Sequence, residues 1–238
     1  MIRHGIFLSG IFLLMVLSSC EPEQVVENPG VNYPEISSYE AIDSMYNSFE
    51  KLTYSELPKN YIKYVGLDGK YVATHSHREF IIVKPQDLFK NLVGHFPVWR
   101  FLARDDYFFA RRKLEGNTQI LLLDKTLLYR ILDFILELEE RGLNSKGFYV
   151  RESFRHPTWN DERGGAYQSQ HIFGRAADLI ILDINDDGIV NADDKDIALE
   201  IFEKIIGSTG GIGKYPGTKT IHIDVRGYRA RWDHMKKP

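Results

Sequence analysis

One cysteine, Cys20, stands among 238 residues, so the chain cannot close an internal disulfide, and no cysteine nucleophile is in evidence. Neither a G-x-S-x-G elbow nor a G-x-x-x-x-G-K-[ST] phosphate loop occurs, and the glycines of GSTGGIGKYPG (207–217) follow neither pattern. Positive charge is not in excess: 30 Lys and Arg face 33 Asp and Glu, a net charge of −3, which leaves no basic footprint for nucleic acid. No internal repeat and no long low-complexity segment is visible. What remains is an ordinary globular composition, 43% hydrophobic and 26% charged, enough for the core of one medium domain with a modest extension.

The first residues stand apart from that domain. MIRH carries positive charge, GIFLSGIFLLMVL is apolar but short for a bilayer span, and LSSC follows. This order is that of a signal peptide over 1–19, and small residues leading into a cysteine resemble a bacterial lipobox. The lone thiol of Cys20 then has a use: acyl chains attached there would hold the protein on a membrane surface of the cell envelope, on the periplasmic or outer side. Residues 20–38 are polar, contain proline and lack periodicity, as a tether would.

Helical spacing at Ile42, Met45, Phe49 and Leu52 predicts a helix, and YIKYVGL, KYVATHS and EFIIVKP read as strands. The aromatics Phe96, Trp99, Phe101, Tyr107, Phe108 and Phe109 suit core packing. No role can be read for 39–117, nor for His75 and His77. Farther on, QILLL predicts a strand. The segment 124–142 predicts an amphipathic helix with Leu128, Ile131, Leu132, Ile135 and Leu138 on one face and Gly142 as its stop. GFYVRESF, AADLIIL and TIHIDVRG read as strands, KDIALEIFEKIIG as a helix and RHPTWNDERGGAYQSQ as a surface loop. Strands and helices mix without regular alternation. The fold class expected is α+β: a small antiparallel sheet flanked by helices over 118–238, with an N-terminal α/β extension. A monomer is expected.

In TIHIDV the side chains alternate, placing Ile221, Ile223 and Val225 on one face and His222 and Asp224 on the other. Gly174 permits a sharp turn between His171 and the strand that carries Asp178. Two histidines and a carboxylate with room for a fourth ligand make a catalytic zinc set; a solvated polar face would share the pattern.

Three stretches resemble one family. SQHIFGRAAD matches the S-x-H-x-x-G-x-A-x-D motif of the zinc D-Ala-D-Ala carboxypeptidases and murein endopeptidases. IHIDV resembles their later H-x-D or H-x-H strand, and FRHPTWN resembles their S-x-Y-R-x-P-x-x-N segment. The resemblance covers roughly 120–235 and implies zinc held by His171, Asp178 and His222. It implies that Arg155 engages the substrate carboxylate or polarised carbonyl, that Ser169 supports the site, and that the substrates are peptidoglycan stem peptides. Many members carry a general-base Glu three residues before the last histidine; Lys219 stands there instead. Asp224 is the expected replacement, with Glu152 and His156 as further candidates. The departure keeps open a non-catalytic, zinc-stabilised binding module, as in the hedgehog signalling domain that resembles this fold.

A second pattern follows directly. In DINDDGIVNADD, Asp183, Asn185 and Asp187 occupy positions 1, 3 and 5 of a calcium loop, with Gly188 at 6, the Ile189 carbonyl at 7 and Asp194 at 12. The spacing resembles an EF-hand loop and, with Asp at 12, a dockerin half-site. A structural calcium ion is expected, against the plainer reading of an exposed acidic turn.

Overall fold

The strongest period in the sequence forms the longest helix. Lys125–Glu140 buries Leu127, Leu128, Ile131, Leu132, Phe134, Ile135 and Leu138, and the Asp124 carboxylate caps its first turn by accepting from Thr126 N at 3.1 Å. The predicted face is there, widened by Leu127 and Phe134. Gly142, just past the end, adopts φ 68°. The computed structural model describes residues 30–103 and 118–233. Cys20 with the apolar run before it, and Tyr107, Phe108 and Phe109, lie outside the described residues.

In chain order the helices are α1 Tyr39–Ser48, α2 Lys59–Val65, α3 Val72–His75, α4 Lys125–Glu140, α5 Pro157–Glu162 and α6 Ala192–Ile206. The strands are β1 Lys51–Thr53, β2 Glu79–Val83, β3 Asn91–Val93, β4 Phe96–Pro97, β5 Gln119–Leu121, β6 Phe148–Glu152, β7 Ala176–Ile181, β8 Gly211–Lys214, β9 Thr220–Asp224 and β10 Ala230–Asp233. They form a five-stranded sheet, β10-β8-β9-β7-β6, a three-stranded sheet, β1-β2-β5, and the hairpin β3-β4. This is the expected α+β class. The sheets are antiparallel except at one edge, where β10 runs parallel to β8.

The five-stranded sheet has two unlike faces. Val150, Leu179, Ile181, Ile221, Ile223 and Ile212 enter the apolar core, which α6 covers, with α4 packed on α6 through Phe134 and Phe202 stacked at 4.1 Å. Burying each such side chain contributes about 1.5–3 kcal/mol, so this face fixes the register of every strand. The opposite pleat is thereby set as well. Glu152 pairs with Asp178, Asp178 with His222, His222 with Gly213, and Gly213 with Trp232, a single row across all five strands.

Several local readings differ. YIKYVGL is helix α2, not a strand, because Tyr61 and Val65 bury one turn apart and Gly66 ends it at φ 75°. KYVATHS is a 3₁₀ turn followed by α3, for the same reason: Tyr71 and His75 turn to one buried side. The surface loop after β6 contains α5, opened by Pro157. GSTGGIGKYPG holds β8, and Gly211 and Gly213 make room for other side chains of the protein. A Cβ on Gly211 would lie 2.2 Å from Asp224 Oδ2, and one on Gly213 would lie 2.6 Å from the Trp232 ring. Residues 39–103, the described part of the region read above as an extension, share one core with 118–233, and β2 pairs with β5.

Candidate metal centre

His171 sits in a 3₁₀ turn, Gln170–Phe173, that Gly174 ends at φ 65°; a Cβ there would meet Leu122 O at 2.2 Å. β7 then carries Asp178 to the position paired with His222. The result is a triangle of ligand atoms. His171 Nε2 lies 3.2 Å from His222 Nδ1, His222 Nδ1 lies 2.9 Å from Asp178 Oδ1, and His171 Nε2 lies 3.3 Å from Asp178 Oδ1. Ligands about 2.0–2.1 Å from a tetrahedral zinc stand about 3.3 Å apart, so these donors fit one ion. Among the described residues this is the one group of three His, Cys, Asp or Glu side chains that converges so.

The far nitrogen of each ring is anchored. His171 Nδ1 donates to Ser153 O at 2.7 Å, which leaves the Nε2 lone pair facing the triangle. His222 Nε2 donates to Asp224 Oδ2 at 3.2 Å, which leaves Nδ1 for the same point. The Trp232 ring lies 5.1 Å from the His222 ring across the gap left by Gly213.

Asp224 therefore occupies a different place from the one expected of a general base. It shares the strand face of His222 but stands behind the imidazole, wholly buried. Its oxygens also accept from Arg226 Nε at 2.8 Å, Arg226 N at 3.2 Å and Gly211 N at 3.1 Å, and its second oxygen pairs with Arg226 Nη2. Burial works against ionisation, yet the bonds from Arg226 and His222 hold the carboxyl far below the usual range. A carboxylate so enclosed is placed to orient His222 rather than to meet a water on the other side of the ring.

Arg155 is paired within the protein. Its Nε and Nη2 bind both Glu152 oxygens, at 2.9 and 2.7 Å, and Nη1 donates to Asn160 Oδ1 at 3.2 Å. Glu152, next to Asp178 in the row, resists ionisation through burial but is drawn below its usual range by Arg155. His156 is a core residue, set edge-on to Tyr61 and Phe154, which removes it from the candidate bases. Ser169 precedes the His171 turn, half-exposed, and its carbonyl accepts from Ile172 N at 3.2 Å. Lys219 is exposed, and its carbonyl ends β7 by accepting from Ile181 N.

Tyr215 was not foreseen. Burial and the charge of Asp178 push its phenol up to about 12, so it stays protonated beside Glu152 and Arg155. The alternation Gly211, Gly213, Tyr215 on one side of β8 would have pointed to it. No sequence signal marks Trp232 or Arg226.

The calcium reading of 183–194 gains no support. Asp183 accepts from Asp187 N and Gly188 N at 3.1 and 2.9 Å, and Asp187 from Ile189 N at 2.8 Å; Asn185 bonds Asp187. Asp194 is wholly buried, accepts from Ile184 N at 2.8 Å and Asn191 N at 2.9 Å, and completes the capping box of α6. These side chains close a turn and start a helix. The Ile189 side chain is exposed.

The comparisons bear on the same stretch. Residues 141–224 match the Peptidase M15 family model. The M15 match covers about a third of the chain, contains His171, Asp178 and His222, and closes on Asp224. Peptidases of the M15 family use zinc, so the match and the donor triangle together support a zinc-peptidase centre. No curated protein and no solved structure matches the chain.

The triangle has a pH signature. In metal-free protein, burial opposes charge on His222, but Asp178 and Asp224 raise its pKa; Asp178 is held well below its own by His171 and His222. The raised histidine contributes stability in full below its unfolded value of about 6.5, lost as pH rises through the folded value. The depressed aspartate contributes above about 3.9, lost as pH falls. Chelator-treated protein will therefore lose thermal stability as pH rises above about 6.5, whereas zinc, which replaces that proton, binds more tightly over the same range. Melting curves across this range with chelator and with zinc check it; parallel curves would count against the triangle as a shared proton and metal site.

Proposed function

We propose that this protein is a zinc-dependent peptidase of the bacterial cell envelope that hydrolyses peptidoglycan stem peptides or cross-bridges, as D,D-carboxypeptidases and murein endopeptidases do. One observation carries the reading: His171 Nε2, Asp178 Oδ1 and His222 Nδ1 converge within 3.3 Å while their other ring nitrogens are fixed by Ser153 O and Asp224. His171, Asp178 and His222 would hold the metal, which supplies Lewis acidity toward a peptide carbonyl and a water nucleophile at neutral pH.

The surrounding residues fit the remaining work. Glu152, ionised by its pairing with Arg155, is the carboxylate beside the triangle that takes the proton of the attacking water and passes it to the leaving amine. Tyr215, protonated at neutral pH, donates to the oxygen that gains charge as the carbonyl is attacked. Arg155 keeps Glu152 charged and oriented. Lipid on Cys20 would hold the domain at the membrane, facing its substrate, through the tether at 20–38; a calcium ion in the 183–194 loop rests on spacing alone.

A second reading has its own observation. Lys219 occupies the place where many relatives carry a Glu base, and Asp224 is enclosed, which suits a zinc-stabilised binding module. Incubation of the zinc-loaded protein with muropeptides separates the two. Truncated peptides or released D-alanine, abolished by chelator and restored by zinc, are expected. Zinc-bound protein that leaves the muropeptides intact would overturn the peptidase reading in favour of the binding module.

A further inference from the structure

The turn that carries His171 cannot hold itself. A 3₁₀ turn closes i→i+3 and leaves its last carbonyls without partners inside it, so they must be satisfied from elsewhere. Around His171 most of the partners come from other elements. His171 O accepts from Arg155 N at 3.2 Å and from Gly174 N at 3.1 Å, and Gly174 O accepts from Asp124 N at 2.8 Å. The two carbonyls between them are met by side chains of the segment before β2. His75 Nε2 lies 2.9 Å from Ile172 O, and Arg78 Nη2 donates to Phe173 O at 3.1 Å.

His75 is built for that contact. Its ring is wholly buried and stacks on Phe173 at 5.3 Å and 25°. Burial drives its pKa down, against the backbone bonds to Ile172 and Tyr71. The ring bridges two backbone carbonyls: Ile172 O lies 2.9 Å from Nε2 and Tyr71 O lies 3.0 Å from Nδ1, with the Thr74 hydroxyl also 3.0 Å from Nδ1. Arg78 is tied in turn to Asp124 at 3.9 Å, and Asp124 to Arg175 Nε at 3.2 Å, so both flanks of the turn meet one carboxylate. None of His75, Arg78 and Asp124 lies in the matched segment 141–224.

We infer that His75, with Arg78, is a positioning residue for the metal centre: it fixes the Ile172–Phe173 backbone so that His171 Nε2 stays on the ligand triangle. The inference rests on the reading of His171, Asp178 and His222 as a metal site. It gives the region before β5 a task in the chemistry although it contributes no ligand.

Cobalt(II) titration of the full chain tests this, with the visible absorption of the bound ion as the report on ligand geometry and chelator competition for affinity. His75→Leu keeps an apolar side chain but removes the donor, and should weaken cobalt binding about tenfold, the low end for partners outside the ligand set, with an altered spectrum. His75→Gln, which restores an N–H donor, should return both toward wild type. Arg78→Met removes the second donor while keeping the aliphatic stem, should shift the same two readouts, and carries the test alone if His75→Leu does not fold. Wild-type affinity and spectrum in folded His75→Leu or Arg78→Met would overturn the inference, as would equal losses in His75→Leu and His75→Gln. Wild-type protein that binds no cobalt would instead sink the metal-site reading, and this inference with it.

Discussion

Replacing His171 by alanine will abolish stoichiometric zinc binding at micromolar metal and remove peptide hydrolysis with it. Partners one step outside a ligand set cost about 10–100-fold in affinity when lost, and a ligand must cost more. His171 provides one of three donors, and its loss leaves Asp178 and His222 with a two-point site whose third corner is a methyl group. The fold should tolerate the change better than the site does. His171 Nδ1 makes one bond, to Ser153 O, and the turn keeps its backbone bonds through Arg155 N, His75, Arg78 and Asp124 N. Removing the ring also takes away one of the two histidines that hold Asp178 ionised, so its carboxyl will rise toward the usual range. Isothermal titration with zinc and muropeptide digestion provide the two readouts. Zinc bound at wild-type affinity by His171→Ala would mean that the ion sits elsewhere, and the triangle would lose its standing.

The candidate ligand set was legible in the sequence because its signals were of the kind that survives into three dimensions. Apolar alternation in AADLIIL and TIHIDV put Asp178 and His222 on one pleat, and pairing of β7 with β9 made them neighbours. Gly174 marked the turn that returns His171 to them. Helices α4 and α6 were readable for the same reason, being long and strongly periodic. Short apolar runs were not: YIKYVGL and KYVATHS have the composition of strands, and the burial of Tyr61 with Val65, and of Tyr71 with His75, made them helical. Gly211 and Gly213 of GSTGGIGKYPG leave room for Asp224 and Trp232, which composition alone does not name. Asp224 itself shows where pattern stops. Alternation fixes the face on which a side chain lies; whether its carboxylate meets the metal or the back of a histidine ring depends on how that ring is turned and on Arg226, and neither has a period.

That distinction is open to measurement, because the two roles for Asp224 predict opposite separations of binding from turnover. As the carboxylate behind His222, Asp224 should show its loss in affinity: Asp224→Asn will weaken zinc about 10–100-fold while hydrolysis at saturating zinc stays within about tenfold of wild type. As general base it would do the reverse, with zinc bound tightly and turnover down about 10²–10⁴-fold. The geometry favours the first outcome, since Oδ2 lies 3.2 Å from His222 Nε2 and Arg226 engages both oxygens. Asparagine keeps the shape and one acceptor, so the chain should fold. Asp224→Ala goes further. It leaves the His222 Nε2–H, the Gly211 N–H and the largely buried Arg226 guanidinium without their shared acceptor. Breaking a buried ion pair from one side costs about 3–5 kcal/mol, and urea denaturation should show a loss of that order. A loss under about 1 kcal/mol in the metal-free protein would mean that Arg226 finds water or another carboxylate, and that Asp224 is less committed to His222 than its enclosure implies.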